Sequence, residues 1–171
     1  MASGSGLCQQ LVQAARVADA RTILEFGTGT GAVTEEICRR KRADASLIGF
    51  EINRRFAEAA RRRCPDAEVI SGCVTSAVRV LRERRIHYCD SVVCGLPWAA
   101  FSSLMQDRFL GAALTVLRRE GYFATFAYVH GLALPAGRQF NTRLQQSFRL
   151  VDRTEVIWGN IPPAVVYIAQ K

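Results

Sequence analysis

The chain has 171 residues, a mass of 18.9 kDa and a formal net charge of +8 at pH 7. This length allows one domain with a proper core and excludes a sizeable second lobe for the substrate. No apolar run is long enough to span a bilayer and no secretory signal is present, which favours a cytoplasmic protein. We expect residues 1–6 to form a disordered leader and residues 7–171 to form the single domain.

Cysteine and histidine usage argues against disulfides and metal. None of the six cysteines forms a Cys-x-x-Cys pair, and several fall in apolar strands or helix faces, which favours buried thiols. His87 and His130 are too few and too far apart for a zinc set. We therefore predict no metal site. The cysteines are Cys8, Cys38, Cys64, Cys73, Cys89 and Cys94.

The first predicted helix covers residues 7–20, where apolar residues recur at three- and four-residue intervals, and we expect it to cover one edge of the sheet. A short apolar strand, 22–26, and a helix beginning near Val33 follow, separated by three glycines at alternate positions. Such glycines permit backbone angles closed to other residues and let a ligand lie against a helix N-terminus. A ligand pocket is therefore predicted at this turn.

The middle of the chain alternates apolar runs with amphipathic stretches, which predicts a parallel sheet covered by helices. The predicted strands are 47–51, 67–72, 91–94 and 122–129, and the predicted helices are 54–63, 76–85 and 101–117, the last ended by Gly121. Beyond them, residues 138–147 predict a short helix. The β-rich stretches 148–158 and 164–169 are separated by only five residues, so they should pair antiparallel.

Arginine carries almost all of the positive charge and is concentrated in four runs. Each run falls at the C-terminal end of a predicted helix, where cations complement the helix dipole and stay solvated. A basic surface would also attract nucleic acid or an anionic membrane. The runs are 39–42, 61–63, 82–85 and 118–119.

Two carboxylates frame the glycine turn. Glu25 lies near the end of the first strand, and Glu51 ends the second about 20 residues past the last glycine, where Rossmann-like folds place an acid for ribose hydroxyls. The Gly-x-Gly-x-Gly spacing differs from that of dinucleotide binders and favours a cationic nucleoside without a pyrophosphate. Here the sequence resembles the class I S-adenosylmethionine-dependent methyltransferases.

The resemblance implies a Rossmann-like α/β fold, with five parallel strands, a C-terminal antiparallel hairpin and helices on both faces. It also implies S-adenosylmethionine as cofactor. Cys73 stands where the family often has an acid for the adenine amino group, so main-chain groups and the hydroxyl of Thr75 or Ser76 would replace it. The expected cofactor-binding residues are Glu25, Gly27, Thr28, Gly29, Gly31, Glu51, Ile52, Cys73, Val74 and Gly95.

The stretch Gly95-Leu96-Pro97-Trp98 follows the fourth strand and resembles the Asn-Leu-Pro-Tyr motif of amino-group methyltransferases, including ribosomal RNA adenine dimethyltransferases. Gly95 replaces the asparagine, which leaves more room. A Gly-Leu-Pro-aromatic stretch, Tyr128 and the final hairpin are more similar to bacterial phospholipid N-methyltransferases. The resemblance implies catalytic roles for Leu96, Pro97, Trp98 and Tyr128, with the Trp98 ring facing the acceptor cation across the mouth of the cofactor site.

The leading interpretation is therefore an N-methyltransferase acting on a phosphatidylethanolamine-like lipid, with peripheral contact to an anionic membrane. Three alternatives remain open. A soluble small-molecule or peptide amine would need no membrane contact. RNA adenine would suit the arginines but not Gly95. A nucleoside-binding partner subunit without catalysis would explain both Cys73 and Gly95.

Overall fold

The computed structural model describes residues 4–171, which form one seven-stranded sheet in the order β3-β2-β1-β4-β5-β7-β6. The first five strands run parallel, and β7 pairs antiparallel with both β5 and β6. Both features were predicted and are confirmed. The strands are β1 Thr22–Phe26, β2 Ser46–Glu51, β3 Glu68–Ser71, β4 Cys89–Cys94, β5 Leu117–Tyr128, β6 Leu150–Arg153 and β7 Ala164–Gln170.

Helices cover both faces of the sheet. One apolar cluster joins the sheet to the first three helices, and a second joins it to the fourth, fifth and seventh. The helices are α1 Ser5–Ala14, α2 Ala32–Arg40, α3 Arg54–Arg63, α4 Ala77–Glu83, α5 Ser103–Val116, α6 Val129–Leu132 and α7 Pro135–Ser147, with short 3₁₀ turns at Val17–Asp19, Val74–Ser76 and Trp98–Ala100.

The topology places a ligand site at one edge of the sheet. β1 has β2 on one side and β4 on the other, so the strand order reverses at β1. In open α/β sheets, ligands bind beyond the carboxyl ends of the strands at such a reversal. The predicted site residues that follow β1, β2 and β4 therefore belong to the same edge, which we call the site edge.

The N-terminal predictions need correction. Residues 1–3 of the predicted leader lie outside the described residues, whereas Ser5 and Gly6 form the first turn of α1. This helix ends at Ala14 rather than near residue 20, because Arg16 takes a left-handed conformation with φ 51°. It packs over β5 and β7, which lie inside the sheet, so it covers a face and not an edge.

The junction of α5 and β5 also differs from the prediction. The helix ends at Val116, and Leu117 already pairs with Cys89 as the first residue of β5. The fourth arginine run therefore lies in a strand rather than at a helix end. Gly121 does not end the helix; a Cβ there would come within 2.8 Å of the Leu117 side chain, so it permits a close turn of the chain.

Three smaller findings complete the fold. The strand predicted over 148–158 is shorter, since β6 ends at Arg153 and only Ile157 forms a further bridge, to Ala164. The four-residue helix α6 was not predicted. Among the described residues no disulfide is present, and no helix is long and apolar enough to cross a membrane. Burial raises the pKa of both the Cys64 and the Cys94 thiol to about 12, so these cysteines stay protonated near neutral pH.

Candidate active site at the carboxyl ends of the strands

The glycine turn between β1 and α2 has the backbone that its sequence predicts. Gly27, Gly29 and Gly31 all have positive φ, at 80°, 52° and 90°. The N–H groups of Gly27 and Thr28 donate to the Phe50 carbonyl at 2.9 and 3.2 Å, which fixes the turn against the end of β2. No atom lies within 4 Å of where a Cβ at Gly29 would point, so this is the open side of the turn.

Glu51 holds this turn through the main chain. Its Oε2 accepts a hydrogen bond from the Gly29 N–H at 2.8 Å, and its Oε1 accepts one from the Asn53 N–H at 2.9 Å. Each carboxylate oxygen can accept a second hydrogen bond. The residue predicted to bind ribose is thus in place at the site edge and also orders the loop.

Glu25 is completely buried beneath the same turn. Burial raises the pKa of its carboxyl group to about 8; the nearby Thr34 hydroxyl partly opposes this rise and the charge of Glu51 adds to it. Both carboxyl oxygens and the Thr34 oxygen lack a well-formed hydrogen bond within the described part of the chain. A buried carboxyl group without a well-formed hydrogen bond is an unusual feature, and one that a cationic ligand would stabilise.

The open side of Gly29, the free lone pairs of Glu51 and the buried Glu25 carboxyl group together fit a cationic nucleoside. The sequence analysis did not identify Gly49 as a site residue. This glycine gives the turn the space to pack against β2. A Cβ at Gly49 would lie 2.5 Å from Thr28 Cγ2, so only glycine lets the turn pack against β2. A glycine inside a predicted strand was the signal for such a close approach.

The Gly95–Trp98 turn after β4 lies against the glycine turn. The Gly95 N–H donates to the Phe26 carbonyl at 2.7 Å, and a Cβ at Gly95 would come within 2.8 Å of the Gly27 carbonyl oxygen. The glycine at this position therefore allows two backbones to approach closely. Leu96 extends over the turn, since its Cδ2 would lie 3.0 Å from a Cβ at Gly27, and its carbonyl accepts the Trp98 N–H at 3.0 Å.

The structure contradicts the predicted position of the Trp98 ring at the mouth of the cofactor site. Its ring is only 2 % exposed and stacks on Phe140 with 4.3 Å between ring centroids. Its indole N–H donates to Thr125 Oγ1 at 2.8 Å, which points the ring into the core between the sheet and α7. The ring therefore does not cross the mouth of the cofactor site, because its polar and apolar parts both find partners inside.

Gln106 is a second residue that the sequence analysis missed. This side chain is fully buried, and its amide donates to the carbonyls of Trp98 at 2.9 Å and Ala136 at 3.0 Å. It thereby joins the turn after β4 to the start of α7. The sequence did contain a signal for this role, since Gln106 is a polar residue on the buried face of a predicted amphipathic helix. Its partners could not be predicted, because they lie 8 and 30 residues away in the chain.

The residues after β3 offer fewer free groups for an adenine than the sequence predicts. Val74 is buried in the core, whereas Ile52 across the edge is 76 % exposed. The Ser76 hydroxyl donates to the Cys73 carbonyl at 2.7 Å, so this main-chain acceptor already has a donor. A role for Cys73 and Val74 at the adenine therefore stays a prediction.

Tyr128 ends β5 at the same edge and is half-buried. The exposed His130 ring stacks on it, with centroids 5.7 Å apart and planes 8° from parallel. The Val129 N–H between them donates to the Pro163 carbonyl at 2.9 Å, which brings the turn before β7 next to this pair. An aromatic face and an imidazole thus lie at the site edge, at the end of the strand next to β4.

Known proteins resemble the chain in sequence and in fold. Residues 23–121 match the family model described as a methyltransferase domain. The chain is 32 % identical over 108 residues to an ornithine lipid N-methyltransferase of Singulisphaera acidiphila. That match covers 61 % of this chain, and the chain spans only 56 % of the relative's length.

Solved structures share the fold at lower identity. An O-methyltransferase of Bacillus cereus in complex with SAH superposes with a TM-score of 0.77 at 14 % identity, covering 98 % of this chain and 82 % of that one. TomG, an O-methyltransferase of Streptomyces achromogenes involved in tomaymycin synthesis and solved with SAM, gives a TM-score of 0.73 at 22 % identity, covering 99 % and 82 %. At these identities the likeness concerns the fold alone.

Proposed function

Because the chain belongs to the class I S-adenosylmethionine-dependent methyltransferases, we propose that it methylates the amino group of a membrane aminolipid such as phosphatidylethanolamine or an ornithine lipid. The enzyme class and the cofactor follow from the family. The choice of acceptor is supported by one observation above others, the identity with the ornithine lipid N-methyltransferase. This match extends over little more than half of each chain.

The cofactor would be held at the glycine turn. Gly29 leaves room for it, Glu51 has free lone pairs for ribose hydroxyls, and Glu25 stands beneath the turn for a positive charge. Bound S-adenosylmethionine supplies a methyl group on a sulfonium sulfur. In our proposal Gly27, Thr28 and Gly31 shape the turn, while Ile52, Cys73 and Val74 border the base.

The acceptor amine would enter beside the turn after β4. The Leu96 carbonyl before Pro97 lies there; it accepts the Trp98 N–H and keeps a second lone pair for the amine. The half-buried Tyr128 offers an aromatic face that stabilises a cation. An ammonium group cannot attack until it loses a proton. The exposed imidazole of His130, stacked on Tyr128, is the titratable group best placed to accept it. Trp98 would position this turn from inside the core and would not contact the amine.

A methyl-transfer screen with mass-spectrometric detection tests the proposal. Phosphatidylethanolamine and an ornithine lipid in mixed micelles, free ethanolamine, free ornithine and RNA are each incubated with S-adenosylmethionine. We expect methylated aminolipid and no comparable product from the other substrates. Gly29→Val is the matched control, because its side chain would fill the open side of the turn. Methylation of only the free amines or only RNA would overturn the choice of acceptor.

A further inference from the structure

The exposed apolar side chains are concentrated at one edge of the sheet. Among the described residues nine large hydrophobic side chains are exposed, and seven of them lie at the site edge. We call six of these the apolar rim, and Met105 adjoins them. The apolar rim consists of Ile52, Phe56, Leu104, Leu134, Trp158 and Ile161.

Topology places these residues together. Ile52 and Phe56 follow β2, Leu104 lies in the first turn of α5 after β4, and Leu134 follows β5. Trp158 and Ile161 lie in the turn before β7, whose Ala164 pairs with Tyr128 at the end of β5.

Hydrogen bonds hold the rim segments at α5, α7 and the turn before β7 in place. The Ser103 hydroxyl donates to Gln139 Oε1 at 2.8 Å, which joins the start of α5 to α7 near Leu134. The bond from Val129 N–H to the Pro163 carbonyl holds the turn before β7 beside the end of β5. The rim therefore shares the site edge with the glycine turn, at the ends of β2, β4 and β5 and before β7.

The rim residues are far more exposed than a core residue, with Trp158 at 74 % and Ile161 at 84 %. Clustered apolar side chains of this kind mark an interaction surface. The two other exposed apolar residues, Tyr88 and Leu150, precede β4 and begin β6, so they lie at the opposite edge.

Three arginines stand among the rim residues. Arg54, Arg55 and Arg138 are exposed, and in the described part of the chain none of them pairs with a carboxylate. Arg54 and Arg55 occupy the first turn of α3, which contains no acidic residue. A helix dipole disfavours cations there, so these two arginines are not placed for the stability of α3. Their position suits a negatively charged partner that the rim contacts.

Most of the arginine runs lie away from this surface. The runs that end α2 and α4 and the one at the start of β5 lie at the edge opposite the site. In the run that ends α3, Arg61 donates to Ser71 Oγ at 3.0 Å, and Arg63 Cδ would lie 3.5 Å from a Cβ at Gly31. Several members are paired with carboxylates: Arg39, Arg40, Arg42, Arg63, Arg84 and Arg118. A nucleic acid attracted to the runs at α2, α4 and β5 would be held at the edge opposite the glycine turn.

We propose that the apolar rim docks on an anionic lipid bilayer, with Trp158 and Ile161 inserted at the interface and Arg54, Arg55 and Arg138 against the head groups. This inference rests on the proposed aminolipid acceptor, whose head group has to reach the glycine turn. A rim at the same edge as the turn lets the lipid be methylated while its acyl chains stay in the bilayer. Tryptophan beside aliphatic side chains and arginine is the composition that favours such an interface.

Vesicle co-sedimentation tests the surface. The protein is mixed with vesicles of phosphatidylcholine alone or with phosphatidylglycerol added. We expect binding to the anionic vesicles, and we expect the double variant Trp158→Ser/Ile161→Ser to lower the partition coefficient about tenfold or more. Tyr88→Ser/Leu150→Ser removes comparable exposed apolar area at the opposite edge and should bind like the wild type. Equal losses in both double variants, or a loss only in the second, would overturn the proposal.

Charge variants separate the two basic surfaces. Arg54→Gln/Arg55→Gln should reduce binding to the anionic vesicles several-fold, and the folded protein should not be destabilised. Arg62→Gln/Arg82→Gln removes two exposed arginines from the last turns of α3 and α4, outside the apolar rim, and should have little effect. If the second pair controls binding to vesicles, the docking surface is the basic edge and the proposal is wrong. RNA binding that depends on the second pair alone, without vesicle binding, would identify the rival partner.

A soluble substrate distinguishes this inference from the proposed function. A short-chain aminolipid below its micelle concentration should be methylated equally by the wild type and Trp158→Ser/Ile161→Ser, whereas methylation in vesicles should fall only in the variant. Vesicle binding without methylation of any aminolipid would refute the proposed acceptor and leave the docking surface intact. Equal methylation in vesicles by both proteins would refute the surface and leave the acceptor intact.

Discussion

Replacing Glu25 by glutamine should make the protein more stable near neutral pH. The wild-type carboxyl group is fully buried without a well-formed hydrogen bond, and burial raises its pKa from 4.5 to about 8. Below pH 4.5 the group is protonated in both the folded and the unfolded chain. As the pH rises toward 8, the unfolded chain releases the proton and the folded chain retains it, so the folded state loses relative stability.

The size of this effect follows from the two pKa values. A difference of 3.5 units corresponds to about 5 kcal/mol when the transition is complete, at about 1.4 kcal/mol per unit. Between pH 5 and pH 8 we expect the free energy of unfolding of Glu25→Gln to rise by about 3 to 4 kcal/mol relative to the wild type. Above pH 8 the difference should level off, because the folded chain then loses the proton too.

Urea unfolding followed by circular dichroism at several pH values measures this difference. Glu58→Gln removes an exposed carboxylate from α3 and serves as the control, and its difference from the wild type should stay within a few tenths of a kcal/mol at all pH values. A constant difference between Glu25→Gln and the wild type from pH 5 to pH 8 would refute a neutral Glu25.

Three further substitutions test the site. Trp98→Ala should lower the free energy of unfolding by about 3 to 5 kcal/mol, since it removes a buried ring, and Trp98→Phe should recover part of it; equal stability in urea would contradict the burial. Glu51→Ala should weaken S-adenosylmethionine binding by about 1 to 3 kcal/mol in calorimetry, and unchanged affinity would refute its role. Gly49→Ala should disrupt the turn and abolish binding, whereas Gly111→Ala, with open space in α5, should leave binding unchanged.

The sequence predicted the sheet because its signal is local. Each apolar run with its following amphipathic stretch defines one strand and one helix. The five residues between the predicted strands 148–158 and 164–169 left only an antiparallel pairing, which the structure has. The prediction failed where a contact between residues far apart in the chain determines the secondary structure. Leu117 continues the apolar face of α5, yet it pairs with Cys89, 28 residues earlier, and so begins β5. No local pattern distinguishes these two outcomes.

The part of the site that the sequence predicted is the glycine turn, because its backbone angles depend on the residue type alone. Three alternate glycines required positive φ values, and the structure has them. The steric role of Gly49 depends on Thr28 from another element, and the position of the Trp98 ring depends on Thr125 and Phe140, 27 and 42 residues further along the chain. An aromatic residue after a proline at the end of a strand predicts a ring near the site, but not the direction in which it points.

Glu25 also connects stability to cofactor binding. A buried neutral carboxyl group that destabilises the fold near pH 7 gains stability when a positive charge binds beside it, because the charge favours the ionised form. Wild-type affinity for S-adenosylmethionine should therefore rise between pH 6 and pH 8 more steeply than that of Glu25→Gln, whose amide does not titrate. Ionisation of the ligand itself affects both proteins equally and cancels in the comparison. Calorimetric titrations that give the same pH profile for both proteins would show that Glu25 does not respond to the bound cation.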